Sequence, residues 1–210
     1  MKRLFDIVLA SGLLVVFAIP MAGIALLVRL TSRGPAWHWS DRVGRHNVIF
    51  RMPKFRSMRT DTPQLPTHLL QDSRNWITPI GRFLRKSSLD ELPQLISILR
   101  GDMSFVGPRP ALYNQDDLVE LRTKHGVHKL APGLTGWAQI NGRDELSIPV
   151  KVEFDAEYLE RQSFGFDLSI MAATFLRVFR SEGVVQTGDS TAHVHKESKF
   201  DDGPSQRRAA

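Results

Sequence analysis

The sequence predicts a mainly α protein with short β elements (α+β), arranged as an N-terminal membrane helix followed by one compact domain. Three observations carry this. An uncharged apolar run from Ile7 to Val28 has basic residues at both ends. Beyond it, apolar-faced helical patterns recur at Pro79 to Lys86, Gln94 to Arg100, Asn114 to His125, Pro149 to Arg161 and Phe166 to Phe179. Between these lie only short extended patterns, such as Val48 to Met52, and two segments rich in glycine and proline, Gly101 to Pro110 and Ala131 to Arg143. These two segments read as too full of breakers for regular structure.

The apolar run comes first in the chain. At roughly 1.5 Å per helical residue it could reach across a hydrocarbon core of about 30 Å. Lys2 and Arg3 precede it while Arg29 and Arg33 follow it, so the positive-inside rule places both ends on one side. Pro20 supplies a cause for turning back, because it lacks the N–H that would bond the Val16 carbonyl and its ring clashes there. A re-entrant helix kinked near Ile19 to Ala22 is therefore favoured over a kinked full span and over a cleaved signal peptide; the residues alone leave all three open. The chain divides into a re-entrant hairpin over 1–33, a domain over 34–183 and a flexible polar tail over 184–210.

The 210 residues suffice for one domain with its own core, and the net charge of +6 points to an anionic partner such as lipid head groups, phosphates or nucleic acid. The absence of cysteine excludes disulfides and thiolate metal sites. After the apolar run, Ser32-Arg33-Gly34-Pro35 is a turn signal, and Trp37 and Trp39 fit either an interfacial depth or one face of a short strand.

Asp90 and Glu91 are the carboxylates most suited to chemistry. Pro93 fits the first turn of a helix, which places both acids at its N-terminus, where charge is favoured. There an aspartate can serve as nucleophile, and the pair can share Mg2+ with a diphosphate. On these residues alone the better reading is a capping box, Ser88 followed three residues on by Glu91. Lys54, Arg56, Arg85, Arg109 and Arg143 lie in or beside breaker-rich segments, and converging they would clamp a diphosphate; singly, each fits a solvated surface better. No Walker loop, dinucleotide fingerprint or metal-binding histidine pair is present. His125 with His128, and His193 with His195, lack a third ligand and read as structural.

Six ordered motifs then meet in one chain. They are Lys2-Arg3-Leu4-Phe5-Asp6, Asp41-Arg42-Val43-Gly44, Lys54-Phe55-Arg56-Ser57-Met58, Ser87 to Gln94 with Asp90-Glu91, Gly101 to Pro110, and Pro132 to Trp137 with Asn141-Gly142-Arg143. Over about residues 1 to 183 the chain resembles the bacterial sugar transferases, and within them the small monotopic polyprenyl-phosphate phosphoglycosyl transferases. That resemblance implies transfer of a phospho-sugar from a UDP-sugar to undecaprenyl phosphate at the cytoplasmic face of the bacterial inner membrane, opening synthesis of a surface glycan. It implies Asp90 as nucleophile and Glu91 as its partner in binding Mg2+ or handling protons. Arg85 and Arg109 would neutralise phosphate charge, Lys54, Arg56 and Pro108 would line the site, and Asn141 and Arg143 would lie near the nucleotide. It also gives Phe166 to Phe179 an interfacial membrane reading, makes a re-entrant helix the expected topology, and leaves a homodimer open. Members carry a Ser-Pro pair at the helix break; here Ile19 precedes Pro20, so proline alone must make it.

Two other readings remain. A membrane-tethered nucleic-acid-binding protein would use Lys54 to Arg59 and the basic end of the tail, although the resemblance implies no nucleic acid. An inactive scaffold of the same fold would keep the dyad without turnover. Sugar choice is expected to lie in loop residues between Thr60 and Asn75.

Overall fold

The uncharged apolar run Ile7 to Val28 makes up most of α1 (Lys2–Thr31), and the domain packs against one face of that helix. The computed structural model describes residues 1–63, 73–142 and 146–179. Positions Asp6, Ala10, Met21 and Val28 of α1 are buried, and Leu9, Leu13, Leu14, Phe17, Ile24 and Ala25 pack beside them, the three-to-four spacing of one helix face. The opposite face leaves Leu4, Val8, Val15, Val16, Ile19, Leu26, Leu27 and Leu30 exposed, with Ile19 at 86%. This helix is long and apolar enough to cross a membrane.

The N-terminal basic flank is bound to the domain, unlike a free head-group anchor. Lys2 donates to Asp167 Oδ2 at 2.6 Å, to the Val106 carbonyl at 3.0 Å and to Tyr158 Oη at 3.3 Å. Arg3 donates to the Ile98 and Leu99 carbonyls in the last turn of the helix Gln94–Arg100, at 2.5 and 2.7 Å. Buried Asp6 accepts from the Phe105 amide at 3.2 Å. Pro20, where the sequence predicts a kink, lies inside α1, and the helix continues through it. Proline removes one hydrogen bond, but Phe17, Met21 and Ile24 pack on the domain across that position and hold the two halves in one helix.

A hairpin follows. Strands β1 (Trp37–Val43) and β2 (Ile49–Phe55) pair antiparallel from Trp37 opposite Phe55 to Val43 opposite Ile49. The strand expected over Val48 to Met52 thus continues to Phe55, with Pro53 tolerated because a two-stranded sheet has only edges. After α2 (Ser73–Trp76), α3 (Pro79–Lys86) starts at Thr78, whose Oγ1 accepts from the Gly81 amide at 3.0 Å, with Pro79 in the first turn. Helix α4 (Gln94–Arg100) stops at Gly101, held at φ +96°.

The two breaker-rich segments do form regular structure, contrary to the sequence expectation. Strand β3 (Ser104–Val106) runs parallel to β4 (Gly133–Thr135), and the chain just beyond β3 is tied back to β4, with Gly107 N donating to Thr135 O and Gly133 N to Pro108 O, both at 2.9 Å. Glycine makes this pairing possible rather than preventing it. A Cβ at Gly133 would sit 2.1 Å from Gly107 N, and one at Gly136 would sit 2.1 Å from Gly107 O. Helices α5 (Asp116–Lys124), α6 (Trp137–Ile140), α7 (Ile148–Arg161) and α8 (Phe164–Phe179) complete the described chain. The main core joins Met52, Leu95, Ile98, Met103, Phe105, Val106, Ile140, Tyr158 and Ile170 to α1. Helix α8 buries Ile170 and leaves Leu168, Phe175 and Leu176 exposed. Its Phe164 meets Phe5 of α1 edge-on at 5.3 Å between ring centroids.

Gly133→Ala should therefore lower the thermal midpoint of the detergent-solubilised protein, by a loss on the order of 2 kcal/mol or more, because both backbones it would push are hydrogen-bonded to each other. A midpoint unchanged from wild type would show that the loops are not stitched in this way.

Candidate active site

Ser88 adopts a left-handed conformation, φ 57°, which turns the chain out of α3 and into the one-turn 3-10 helix Leu89–Glu91. That turn sets Asp90 and Glu91 ahead of α4 and beneath strand β2. Ser88 makes no side-chain cap, so the capping box favoured by the residues alone is not formed. Instead Glu91 reaches across to the strand: Lys54 Nζ donates to Glu91 Oε1 at 3.1 Å, and Arg109 Nη2 stands 3.7 Å from the same oxygen. Asp90 is buried and accepts no side-chain hydrogen bond from a described residue.

These surroundings separate two adjacent carboxylates. Burial pushes Asp90 up to about 6; Lys54 opposes that, the Glu91 charge adds to it, and Arg85 and Arg109 also oppose it. Burial would raise Glu91 as well, yet Lys54 and then Arg109 more than offset it and hold it at about 2. Glu91 is thus the fixed counter-ion of the cations, and Asp90 is the carboxylate left open. A carboxyl pushed up to about 6 is largely ionised near neutral pH, and this one is buried without a side-chain hydrogen bond from a described residue, which suits a nucleophile.

Of the residues proposed from sequence, Asp90, Glu91, Lys54, Arg85 and Arg109 come together. Arg56 does not join them. Its guanidinium donates to Arg33 O at 2.6 Å, Ser32 O at 2.8 Å and Ser32 Oγ at 2.7 Å, closing the end of α1. Pro108 is buried in the β3–β4 stitch and acts through its carbonyl. Asn141 donates to the Trp137 carbonyl at 2.9 Å and caps α6, with no described contact to the dyad. Arg143 lies outside the described residues, as do most of the Thr60 to Asn75 loop and the 184–210 tail. The basic run Lys54 to Arg59 is not an open patch: Lys54 holds Glu91, Arg56 holds α1, and Arg59 pairs with Asp61 at 2.6 Å.

Sequence reasoning missed Arg42 and Gln94. With Met52, Lys54, Arg109, Pro110 and Gly133 they line a small cleft beside the dyad. Arg42 donates to Pro110 O at 3.1 Å and helps hold Glu91 ionised. The signal was present in the alternation of β1, which puts Arg42 two residues beyond Ser40 on the face that carries Lys54 opposite His38. Gln94 is 3% exposed and makes no side-chain hydrogen bond with a described residue.

Among the described residues no cluster of three histidine, cysteine, aspartate or glutamate side chains could hold a metal alone. The donor set does fit a hard cation that takes its other ligands from substrate. Asp90 and the second oxygen of Glu91 are carboxylate donors not already bonded to described side chains, and a diphosphate would supply further oxygens.

The fold and site together define a class: a domain carrying one long apolar helix, with a buried aspartate and a half-buried glutamate set among cations. Residues 1–181 match the family model described as bacterial sugar transferase, and the chain belongs to that family. It is 42% identical to the "Uncharacterized sugar transferase EpsL" of Bacillus subtilis over 194 residues, covering 91% of this chain and 94% of that protein. It is 36% identical to the exopolysaccharide production protein ExoY of Rhizobium meliloti over 200 residues, 87% of each chain. It is also 41% identical to the UDP-glucose:undecaprenyl-phosphate glucose-1-phosphate transferase of Escherichia coli over 188 residues, 86% of this chain but 40% of that protein. The chain therefore spans nearly all of the small relatives and about two fifths of the larger one.

Carboxyl NMR of the metal-free protein should show Asp90 titrating near pH 6 and Glu91 near 2. Lys54→Met removes the largest influence opposing burial at both acids, so both midpoints should move up. An Asp90 midpoint that stays in place or falls would contradict the assignment of Lys54.

Proposed function

We propose that this protein transfers a phospho-sugar from a UDP-sugar to undecaprenyl phosphate, through a covalent phospho-sugar on Asp90, and that it works at the cytoplasmic face of the bacterial inner membrane. The observation that carries this reading is the unequal pair, an open Asp90 beside a Glu91 held by cations. Relatives named for undecaprenyl-phosphate glucose, galactose and N-acetylgalactosamine phosphotransfer support the reaction class.

In the first step an Asp90 oxygen attacks the sugar-bearing β-phosphorus. The bond from that phosphorus to the bridging oxygen breaks, and UMP leaves with the electron pair. In the second step an oxygen of the lipid phosphate attacks the same phosphorus and Asp90 leaves as carboxylate, giving polyprenyl-diphosphate-sugar. No proton needs to move in either displacement. Lys54, Arg85, Arg109 and Arg42 counter the negative charge gathered there, which is where most catalysis of phosphoryl transfer arises. Mg2+ held by Asp90 or Glu91 together with the diphosphate would add charge neutralisation and orient the phosphates.

The membrane reading rests on α1 and α8. Burying an aliphatic side chain completely is favourable by roughly 1.5–3 kcal/mol, and eight partly exposed ones on α1, from Leu27 at 49% to Ile19 at 86%, would each gain a share of that. Both ends of α1 are fastened to one domain, Lys2 and Arg3 at the start and Ser32 at the end, which favours a helix that enters and leaves on one side. The exposed Leu168, Phe175 and Leu176 favour α8 as an interfacial helix.

Rapid mixing with a UDP-sugar and Mg2+, without lipid acceptor, should release about one UMP per enzyme and then stop. Asp90→Asn should abolish this burst and lower turnover at least about a thousandfold. Multiple turnovers of UMP only when both substrates are present, with no burst, would sink the covalent mechanism.

A further inference from the structure

The segment Gly107 to Pro110 carries Arg109 to the dyad, yet two of its four residues are prolines without an N–H to fix it. Its carbonyls are held from outside instead. Gly133 N bonds Pro108 O at 2.9 Å, Arg122 Nη1 bonds Arg109 O at 2.8 Å, and Arg42 Nη1 bonds Pro110 O at 3.1 Å. Three successive carbonyls are thus gripped by β4, α5 and β1. The middle grip has a buried support of its own: Arg122 Nε and Nη2 donate to Asp155 Oδ2 of α7 at 2.9 and 2.6 Å. Arg122 is 8% exposed and Asp155 is 1% exposed.

A buried ion pair of this kind is poor value as packing. Desolvating two charges is expensive, and well-packed apolar replacements often leave stability unchanged or raised. Helices α5 and α7 also have an apolar contact of their own, in which Leu118 and Val152 pack with Ala111, Val119 and Ile148. What an apolar pair cannot supply is the third donor, aimed at the Arg109 carbonyl. We propose that Arg122, oriented by Asp155, is a positioning residue that holds the backbone of Arg109 so that its guanidinium reaches Glu91 and the substrate phosphates.

This rests on the reading of Arg109 as a phosphate-handling residue, and a double-mutant cycle separates the two. Arg122→Met combined with Asp155→Leu replaces the pair by apolar side chains, and Arg122→Lys keeps the charge near Asp155 but lacks the fork that also reaches Arg109 O. Each is assayed by thermal unfolding and by steady-state UMP formation with both substrates, alone and with Arg109→Gln. The expected result is a thermal midpoint close to wild type for at least one of the two Arg122 changes, with kcat lower by on the order of tenfold to a hundredfold. In the Arg109→Gln background the same change should cost no further activity, because its effect passes through Arg109. An equal loss in both backgrounds, or wild-type kcat in a folded Arg122 variant when Arg109→Gln is impaired, overturns the proposal. So does a lowered midpoint with kcat intact. Wild-type turnover by Arg109→Gln itself would instead refute the role given to Arg109.

Discussion

Two carboxylates on adjacent residues of a buried turn repel each other and resist ionisation, and the Lys54–Glu91 bond is what resolves that conflict. It fixes Glu91 as the charged partner and leaves Asp90 ionisable close to neutral pH, with no side-chain hydrogen bond from a described residue. The rest of the molecule can be understood as the apparatus that keeps Lys54 in place. Its strand is paired along seven positions with β1, and the core residue Met52 sits two residues before it. Two residues after it, Arg56 fastens the end of α1.

That last connection joins the long apolar helix α1 to the acidic pair. Lys54 and Arg56 belong to one basic run, but one faces the acidic pair and the other closes the helix that carries the exposed apolar face. Gly34, at φ +116°, has no Cβ to block the approach; one placed there would lie 2.1 Å from an Arg56 nitrogen. The other end of α1 is fixed just as directly, through Lys2, Arg3 and Asp6 to Asp167, the Ile98 carbonyl and Phe105. A helix held this way sets the height of the site relative to whatever surrounds its apolar face.

The broad outline was legible because it depends on local pattern. Helices α3, α4, α5, α7 and α8 appeared close to their expected positions since each has an apolar stripe and a recognisable start or stop, Thr78-Pro79 for α3 and Gly101 for α4. The dyad and its cations were legible as residue types. What could not be seen were features set by distant partners. The parallel β3–β4 pairing joins residues about thirty positions apart and uses glycine for closeness, so the property that signalled a loop is the one that permits the ladder. Ser88 and Glu91 fit a capping box equally well until Lys54 is placed opposite. Arg56 has the same local context as Lys54, and only the position of Ser32 separates their roles. Arg122 and Asp155 sit in ordinary amphipathic helices and carry no sequence signal of their link to Arg109.

The division of labour within the dyad is tested most directly by locating the covalent adduct. Protein loaded with UDP-sugar in the absence of lipid, quenched, digested and fragmented in a mass spectrometer should carry the phospho-sugar on Asp90 of the Ser87 to Arg100 peptide, with Glu91 unmodified. An adduct on Glu91, or an unmodified peptide from enzyme that turns over fully when lipid phosphate is added, would contradict the account.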